Sequence, residues 1–373
     1  MILPLRLVLP QVTETVALLH SHYPLLTVYP AVSPLDLETK FNSFLSLAAE
    51  QQERAMTMPA SPVMFTGLLL AIMLPLATSF VSSSQKQEKP IKRQFYPKPM
   101  QLSSRQPYTQ VISDVDDTIK SSGGVKIGDV ALGGIDTQYE RGEFYPGVFE
   151  FMLQLSLHSL PSADIMPAKV AILTARAEEF KLALELKDDS KLGQALRKTG
   201  EQSVNLSSWG LGPVLYGSVA EWVMQDRKGL RKFANFERLL EQDPTGTIMQ
   251  YVYVGDTGEL DQEAGETILR EYPEVVKAVF LHVVSEEPYP PVPPPKLING
   301  RPLVFFRTYI GAAAKATQLN LLSYSWLLKV CKAAKKSLFN VPRDDSKWVE
   351  LDRDLNLAYR TMGLDVKQVD SLI

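Results

Sequence analysis

The residues best suited to chemistry are aspartates, crowded into two short stretches of the chain. Asp114 and Asp116 belong to VISDVDDTIKSSGG at residues 111–124, and Asp256 and Asp261 belong to the later stretch VGDTGELD. Turns and helix caps are the structural alternatives for such clusters. Several carboxylates without cysteine or histidine suit a hard cation that removes their mutual repulsion. The pattern therefore predicts that all four aspartates bind Mg²⁺.

A carboxylate beside such a cation can also act as a nucleophile. With Mg²⁺ neutralising a bound phosphate, Asp114 would attack phosphorus and form an aspartyl-phosphate. Asp116 would protonate the leaving oxygen and later activate water. Thr174 would donate a hydrogen bond to a phosphoryl oxygen, and Lys232 would hold nucleophile and phosphate together by charge. Positioning and charge stabilisation account for most of the catalysis in phosphoryl transfer.

Short apolar runs rich in β-branched and aromatic residues predict the strands that carry these groups. They cover residues 109–114, 168–175, 250–256 and 277–284. Such runs without alternation are typical of strands buried on both faces. The stretches between them predict helices over 146–159, 177–186, 191–198, 226–241 and 261–271. Alternating strands and helices predict an α/β fold with a doubly wound, Rossmann-like parallel sheet.

That fold class also predicts where the functional side chains meet. Asp114, Thr174 and Asp256 each end a predicted strand, and Lys232 lies on a predicted helix. In sheets of this class, ligands bind in the crevice beyond the carboxyl ends of the strands. We therefore expect these side chains to converge at one edge of the sheet.

The order of these residues resembles the haloacid dehalogenase superfamily of phosphohydrolases. The motif elements are D-x-D-x-T (Asp114, Asp116, Thr118), Thr174 at a strand end, Lys232 on a helix, and G-D-x-x-x-x-D (Asp256, Asp261). Four elements in this order, on the expected element types, are a stronger signal than D-x-D-x-T alone. The resemblance implies the core of that superfamily with small inserts.

A closer resemblance is to the phosphatidate phosphatase catalytic domain of the fungal actin-patch-associated enzyme family. It lies in SDVDDTIKSSGG, GEFYPGVFEFMLQL, KFANFERLLEQDP and YVYVGDTGELDQE, between residues 110 and 284. It implies phosphatidate as substrate, diacylglycerol and phosphate as products, Mg²⁺ as cofactor and a membrane surface as partner. Lys232 stands twelve residues before Pro244, which matches the catalytic lysine of that family, and Lys228 is the alternative.

The chain departs from that family in its second motif. LTARAEEF stands where the family has a segment of the form S-x-S-P-W, and GDTGEL replaces GDSGQ. Arg176 is predicted to bind phosphate or a lipid headgroup, with a surface pair to Glu178 or Glu179 as the alternative. Gly124 predicts a flexible flap that contacts substrate after the nucleophile, although any tight turn has the same pattern.

Composition excludes several other classes of function. The net charge of −3 is too small to indicate nucleic-acid binding. Cys331 is the only cysteine, so the sequence allows neither an intrachain disulfide nor a thiolate metal site. The four histidines lie far apart, without the spacing of a zinc site.

Residues 1–106 are predicted to be a non-globular region with a targeting or anchor segment. VMFTGLLLAIMLPLATSFV, at residues 63–81, lies in a window without charge, and its apolar centre has the length of a signal-peptide core. ATSF within it resembles the cleavage motif of bipartite plastid targeting. We expect membrane association in an endomembrane or plastid, with residues 1–55 a gene-model extension. A membrane anchor and a buried helix are the alternatives.

Beyond the predicted catalytic domain, residues 107–285, the chain changes character. A Pro-rich linker covers 286–296, and a helical extension is predicted over 297–373, with one long helix over 304–339. That basic amphipathic helix would either lie on an anionic membrane or pack its apolar face on the α/β domain, which we favour. For function, a phosphatase of a soluble phosphomonoester or phosphoprotein and a non-catalytic scaffold are the alternatives.

Overall fold

The computed structural model describes residues 108–364, apart from a set of short gaps. The gaps are 125, 128–129, 132–133, 159, 161–164, 178–185, 218–227, 244–245, 259 and 288. The predicted targeting segment at 63–81 and most of the helix predicted at 177–186 lie outside the described residues. Among the described residues, no helix is both long and apolar enough to cross a membrane.

Seven of the nine described strands form one sheet. The strands are β1 (Tyr108–Ser113), β2 (Lys126–Ile127), β3 (Val130–Ala131), β4 (Val170–Ala177), β5 (Leu211–Gly217), β6 (Ile248–Asp256), β7 (Val276–His282), β8 (Lys296–Ile298) and β9 (Arg301–Phe306). The sheet has the order β5-β4-β1-β6-β7-β9-β8, and every pairing in it is parallel except that of β8 with β9. β2 and β3 form a separate antiparallel hairpin. The expected α/β class with a mostly parallel sheet is confirmed.

The described helices cover both faces of this sheet. They are α1 (Val148–Ser156), α2 (Lys191–Val204), α3 (Lys228–Glu241), α4 (Asp261–Glu271), α5 (Tyr309–Gln318), α6 (Tyr324–Ser337) and α7 (Ser346–Met362). One apolar core joins the sheet to α1, α2, α5, α6 and α7, and a second joins its other face to α3 and α4. Central strands are therefore buried on both sides, as their continuous apolar runs predict.

Alternation along β1 shows how one strand serves both cores. Val111 faces the first core and Ile112 the second, and neither is exposed to solvent. Full burial of such a side chain stabilises the fold by about 1.5–3 kcal/mol. β1 lies at the point where the strand order reverses, because the chain runs from it to β4 and β5 and then returns to β6 on its other side.

The C-terminal region differs from the sequence prediction. The single long helix predicted over 304–339 is wrong. Residues 301–306 form β9 and pair with β7, and the remainder forms two helices, α5 and α6, separated by residues 319–323. Asn299 and Gly300, with φ of 47° and 74°, make the two-residue turn that joins β8 to β9. The sheet thus continues beyond residue 285. α6 packs its apolar side on the α/β domain, which is the alternative that we favoured.

Two smaller differences concern the stretch before α3. Residues 211–217 form β5 at the edge of the sheet, although Gly212 and Pro213 interrupt the apolar pattern there. α2 extends to Val204, six residues beyond its predicted end, and closes on Asn205 in the left-handed conformation. Propensity alone does not predict either feature, because packing against the sheet decides both.

A candidate metal and phosphoryl-transfer site

The candidate site lies beyond the carboxyl ends of β1 and β6, two neighbouring strands. The amide of Asp114 donates to the carbonyl of Val254 at 3.0 Å, so the register places Asp114 beside the end of β6, where Asp256 lies. This is the point at which the strand order reverses. Crevices at such points are the usual ligand sites of open α/β sheets.

Three aspartates meet in this crevice. Asp114, Asp256 and Asp261 each offer a carboxylate oxygen, these oxygens lie within 4.8 Å of one another, and all three residues are buried. Buried charges of one sign are stable only with a compensating cation or a proton. The group can therefore hold a metal ion, and its all-oxygen character favours a hard cation.

Lys232 completes the cluster from α3. Its side chain is fully buried, and its ammonium group contacts Asp261 and lies 3.3 Å from Asp114 Oδ1. The helix is tied to β5 by the side-chain amide of Asn235, which donates to the carbonyl of Tyr216 at 3.2 Å. Of the two lysines considered from sequence, Lys232 lies in the crevice, and the side chain of Lys228 is outside the described part of the chain.

The loop between β6 and α4 fixes the other two carboxylates. Asp261 opens α4, and its Oδ2 accepts a hydrogen bond from the amide of Asp256 at 3.1 Å. Asp256 Oδ1 in turn accepts from the amide of Gly258 at 2.5 Å. A Cβ at Gly255 would lie 2.6 Å from Asp261 Oδ2, so only glycine fits there. The G-D-x-x-x-x-D spacing thus has a direct structural cause.

Asp116 does not join this group of carboxylates. Its side chain is partly exposed, and its Oδ1 lies 3.6 Å from Lys120 Nζ. Among the described residues, the expected four-carboxylate metal set is thus a set of three, with the side chain of Asp116 outside it. Partial exposure suits a group that exchanges protons with an incoming ligand.

Thr174 lies where the register of the sheet predicts, beside the end of β1. Ser113 pairs with Ile172, which puts Thr174 two residues further along β4, and the residue is buried. β4 does not end at Thr174 as expected but continues to Ala177, with an irregular pairing to β5 between Leu173 and Ala177. Arg176 belongs to this last part of β4, and its side chain lies outside what the structure describes.

Asp117 fixes the segment that follows Asp114. Its carboxylate accepts hydrogen bonds from the amides of Ser122 at 2.7 Å, Ile135 at 2.6 Å and Asp136 at 2.9 Å. Burial raises the pKa of Asp117, and these bonds oppose that rise. A Cβ at Gly134 would collide with the same carboxylate. Asp117 therefore anchors the segment 121–145, which we call the flap, to the end of the SDVDD stretch.

Gly124 lies at the base of this flap. Its φ is +60°, its amide donates to Ser122 Oγ at 3.2 Å, and a Cβ would lie 2.5 Å from Thr137 Cγ2. Glycine is required there for backbone reasons. Contact of Gly124 with a substrate stays a prediction.

Two buried tyrosines near the site were missed by the sequence analysis. Tyr309, on α5, donates from its hydroxyl to the carbonyl of Thr118 at 2.7 Å, and its pKa is raised well above normal by burial and by Asp256 and Asp114. Burial and Asp261 raise the pKa of Tyr253 in the same way. No sequence pattern marks Tyr309, because it joins the site from almost two hundred residues away.

Comparison with protein-family models, with curated proteins and with solved structures finds no match for this chain. A functional assignment therefore rests on the residues of the crevice and on the sequence motifs.

Proposed function

We propose that this protein is a Mg²⁺-dependent phosphatase of the haloacid dehalogenase type, with phosphatidate as the leading substrate class. The single observation that supports it best is the position of Lys232 between Asp114 and Asp261 in a buried crevice. One cation beside a nucleophile and a metal-binding carboxylate is the arrangement that phosphoryl transfer requires.

In the proposed reaction, a carboxylate oxygen of Asp114 attacks the phosphorus atom of the phosphomonoester. The bond from phosphorus to the leaving oxygen breaks, and Asp116 gives that oxygen its proton. Asp116 then takes a proton from water, whose oxygen attacks the aspartyl-phosphate and releases inorganic phosphate with Asp114 restored. Two simple displacements thus replace one difficult hydrolysis.

Asp114, Asp256 and Asp261 would hold Mg²⁺, whose charge offsets that of the phosphoryl group. Lys232 supplies a second positive charge on the side of the nucleophile. Thr174, buried beside the end of β1, would donate a hydrogen bond to a phosphoryl oxygen. The buried position of all these groups strengthens their electrostatic effect, because water does not screen them.

Phosphatidate is proposed from the resemblance of the motifs, since the crevice itself accounts only for the phosphoryl group. The test is phosphate release from phosphatidate in mixed micelles, with Mg²⁺ or with EDTA, by the full chain and its Asp114→Asn variant. Asp189→Asn is the matched control, because Asp189 is exposed and accepts a hydrogen bond from Gln194 through its backbone carbonyl, which the substitution keeps.

We expect release that requires both Mg²⁺ and Asp114 and that the control retains. Hydrolysis of an aryl phosphate that depends on Asp114, without release from phosphatidate, would keep the chemistry and reject the lipid substrate. Inactivity toward both substrates would contradict the phosphatase proposal and favour a scaffold.

A further inference from the structure

α6 presents two different sides. Leu327, Val330, Cys331 and Ala334 are buried against the domain. A second side, which we call the α6 outer face, consists of the exposed residues Tyr324, Lys332, Lys336 and Phe339, with the half-buried Leu328 and Lys335 along its border with the core. Their spacing of three or four residues puts them along one stripe, and the amide of Phe339 still donates to the carbonyl of Lys336 at 3.3 Å.

The α6 outer face combines exposed aromatic rings with positive charge. Tyr324 is 60% exposed and Phe339 is 83% exposed, the highest value among the large apolar side chains of the described residues. Lys332 and Lys336 lie between them and are also exposed. The sequence from 324 to 339 contains no acidic residue. Single exposed apolar residues are ordinary, but aromatic residues flanking lysines on one helix are typical of membrane-surface helices.

The C-terminal end of α6 lies toward the edge of the sheet that holds the crevice. Val330 and Ala334 pack against Gly147, the residue that caps α1 where the chain leaves the flap. On α7, which follows α6 in the chain, Lys347 Nζ pairs with Glu143 of the flap at 2.9 Å. The carbonyl of Glu143 accepts from the amide of Ser121, seven residues after the proposed nucleophile. Phe339 is therefore on the same side of the molecule as the crevice.

We propose that the α6 outer face docks on an anionic lipid bilayer and brings the crevice to the membrane surface. Charge complementarity favours this occupant, since the face is positive and a phospholipid surface rich in acidic headgroups is negative. The exposed rings of Tyr324 and Phe339 would enter the headgroup region, where aromatic side chains are favoured. This proposal rests on the proposed function in one respect, since a phosphatidate phosphatase has to reach a substrate that lies in a membrane.

The test measures partition of the full chain onto sedimented vesicles of phosphatidylcholine with or without phosphatidylserine. Lys332→Glu/Lys336→Glu is the main variant, and Phe339→Ser is the second, since neither changes a buried residue. Lys191→Glu/Lys198→Glu, which reverses two exposed lysines on α2, is the matched control. All proteins carry Asp114→Asn, so that turnover plays no part.

Electrostatic attraction is worth about fivefold in affinity for each lysine near an anionic surface. We therefore expect the main variant to bind anionic vesicles at least twenty-fold more weakly, the control to stay within about twofold, and salt to remove the difference. Phe339→Ser should weaken binding to both vesicle types. Equal partition of the main variant and the control would overturn the proposal.

A second readout separates this proposal from the assignment of the substrate. In proteins with Asp114 intact, the main variant should lose phosphate release from phosphatidate vesicles and keep its rate on a soluble aryl phosphate. Weaker vesicle binding in a protein that hydrolyses only soluble esters supports the docking face and rejects phosphatidate. Unchanged vesicle binding by the main variant, in a protein that hydrolyses phosphatidate, would reject the docking face and support phosphatidate as the substrate.

Discussion

The ammonium group of Lys232 contacts Asp261 and lies 3.3 Å from Asp114, and all three side chains are buried. With Asp256, the group of four holds three carboxylates and one ammonium. When ionised, that is an excess of two negative charges, which equals the charge of a divalent cation. Lys232 thus offsets one of the three negative charges, and a bound divalent cation would offset the other two.

Replacing Lys232 tests this arrangement. We expect Lys232→Met to lower phosphatase turnover by a factor on the order of a hundred or more, because a charge aimed at the reacting phosphate is lost. In EDTA the variant should also lose about 3–5 kcal/mol of unfolding free energy, since buried carboxylates lose their partner. Chemical denaturation with and without Mg²⁺ measures this, and Mg²⁺ should restore part of the loss.

Lys228→Met is the comparison, since both lysines lie on α3. It should leave turnover and stability nearly unchanged. A variant at Lys228 that is as inactive as the variant at Lys232 would show that the lysine is wrongly assigned.

Metal binding should appear as thermal stabilisation. At a Mg²⁺ concentration one hundred times its Kd, the folded state gains about 2.7 kcal/mol, so the melting temperature rises with added Mg²⁺. Asp256→Asn removes one charged ligand from the buried group and should abolish most of that rise. Asp189→Asn should melt as the native protein does. Equal Mg²⁺ stabilisation of all three proteins would place the cation elsewhere.

Asp117 should act on the flap and not on the metal. Asp117→Ala leaves three amides without their acceptor, so we expect a loss of about 3 kcal/mol or more of unfolding free energy. Asp117→Asn keeps one acceptor oxygen and tolerates the φ of 55°, so its loss should be smaller. Both variants should show a raised KM with the Mg²⁺ affinity of the native protein. A marked fall in Mg²⁺ affinity would instead make Asp117 a ligand.

A buried ion pair should hold α7 to the rest of the domain. Arg307 contacts both carboxylate oxygens of Glu350, at 2.8 and 2.9 Å, and also donates to the carbonyl of Val283. Arg307→Met should cost about 3–5 kcal/mol, because Glu350 is left buried without its cation. Adding Glu350→Leu should recover much of that loss. A double variant whose loss equals the sum of the two single losses would mean that the pair is not coupled.

Cys331 offers a probe of the packing of α6. Burial raises the pKa of its thiol to about 12, so at pH 8 almost none is thiolate, the form that reacts. We expect labelling by a thiol reagent to be far slower in the folded protein than in denaturant. Rapid labelling under native conditions would show that α6 opens easily, and the single cysteine makes the result unambiguous.

Much of the site was predictable because its residues are tied to strand ends. Asp114 and Asp256 follow continuous apolar runs, and parallel strands bring their carboxyl ends to one edge. The candidate metal-binding group differs from the prediction at Asp116. Two residues apart in a strand, Asp114 and Asp116 would share a face, but β1 ends at Ser113 and Asp116 lies in the turn that follows, where it bridges to Lys120. Spacing alone does not distinguish a residue facing the crevice from one facing solvent.

The fold was less predictable after residue 285. The Asn299–Gly300 pair is a strong hairpin signal and could have located β8 and β9. It was missed because VFF at 304–306 runs without a break into the helical pattern that follows. Long-range partners such as Tyr309 and Thr118 have no signature in one sequence, because packing in three dimensions creates them.

The position of β9 has a consequence for the order in which the protein can form during synthesis. All the aspartates of the site, and Lys232, leave the ribosome before β9 does. Until then, β7 has an open edge of unpaired backbone groups, which is a template for pairing with other chains. A nascent chain that pauses after residue 285 would therefore expose an aggregation-prone strand beside an almost complete aspartate cluster. Chaperones that cover such edges should matter most in that interval.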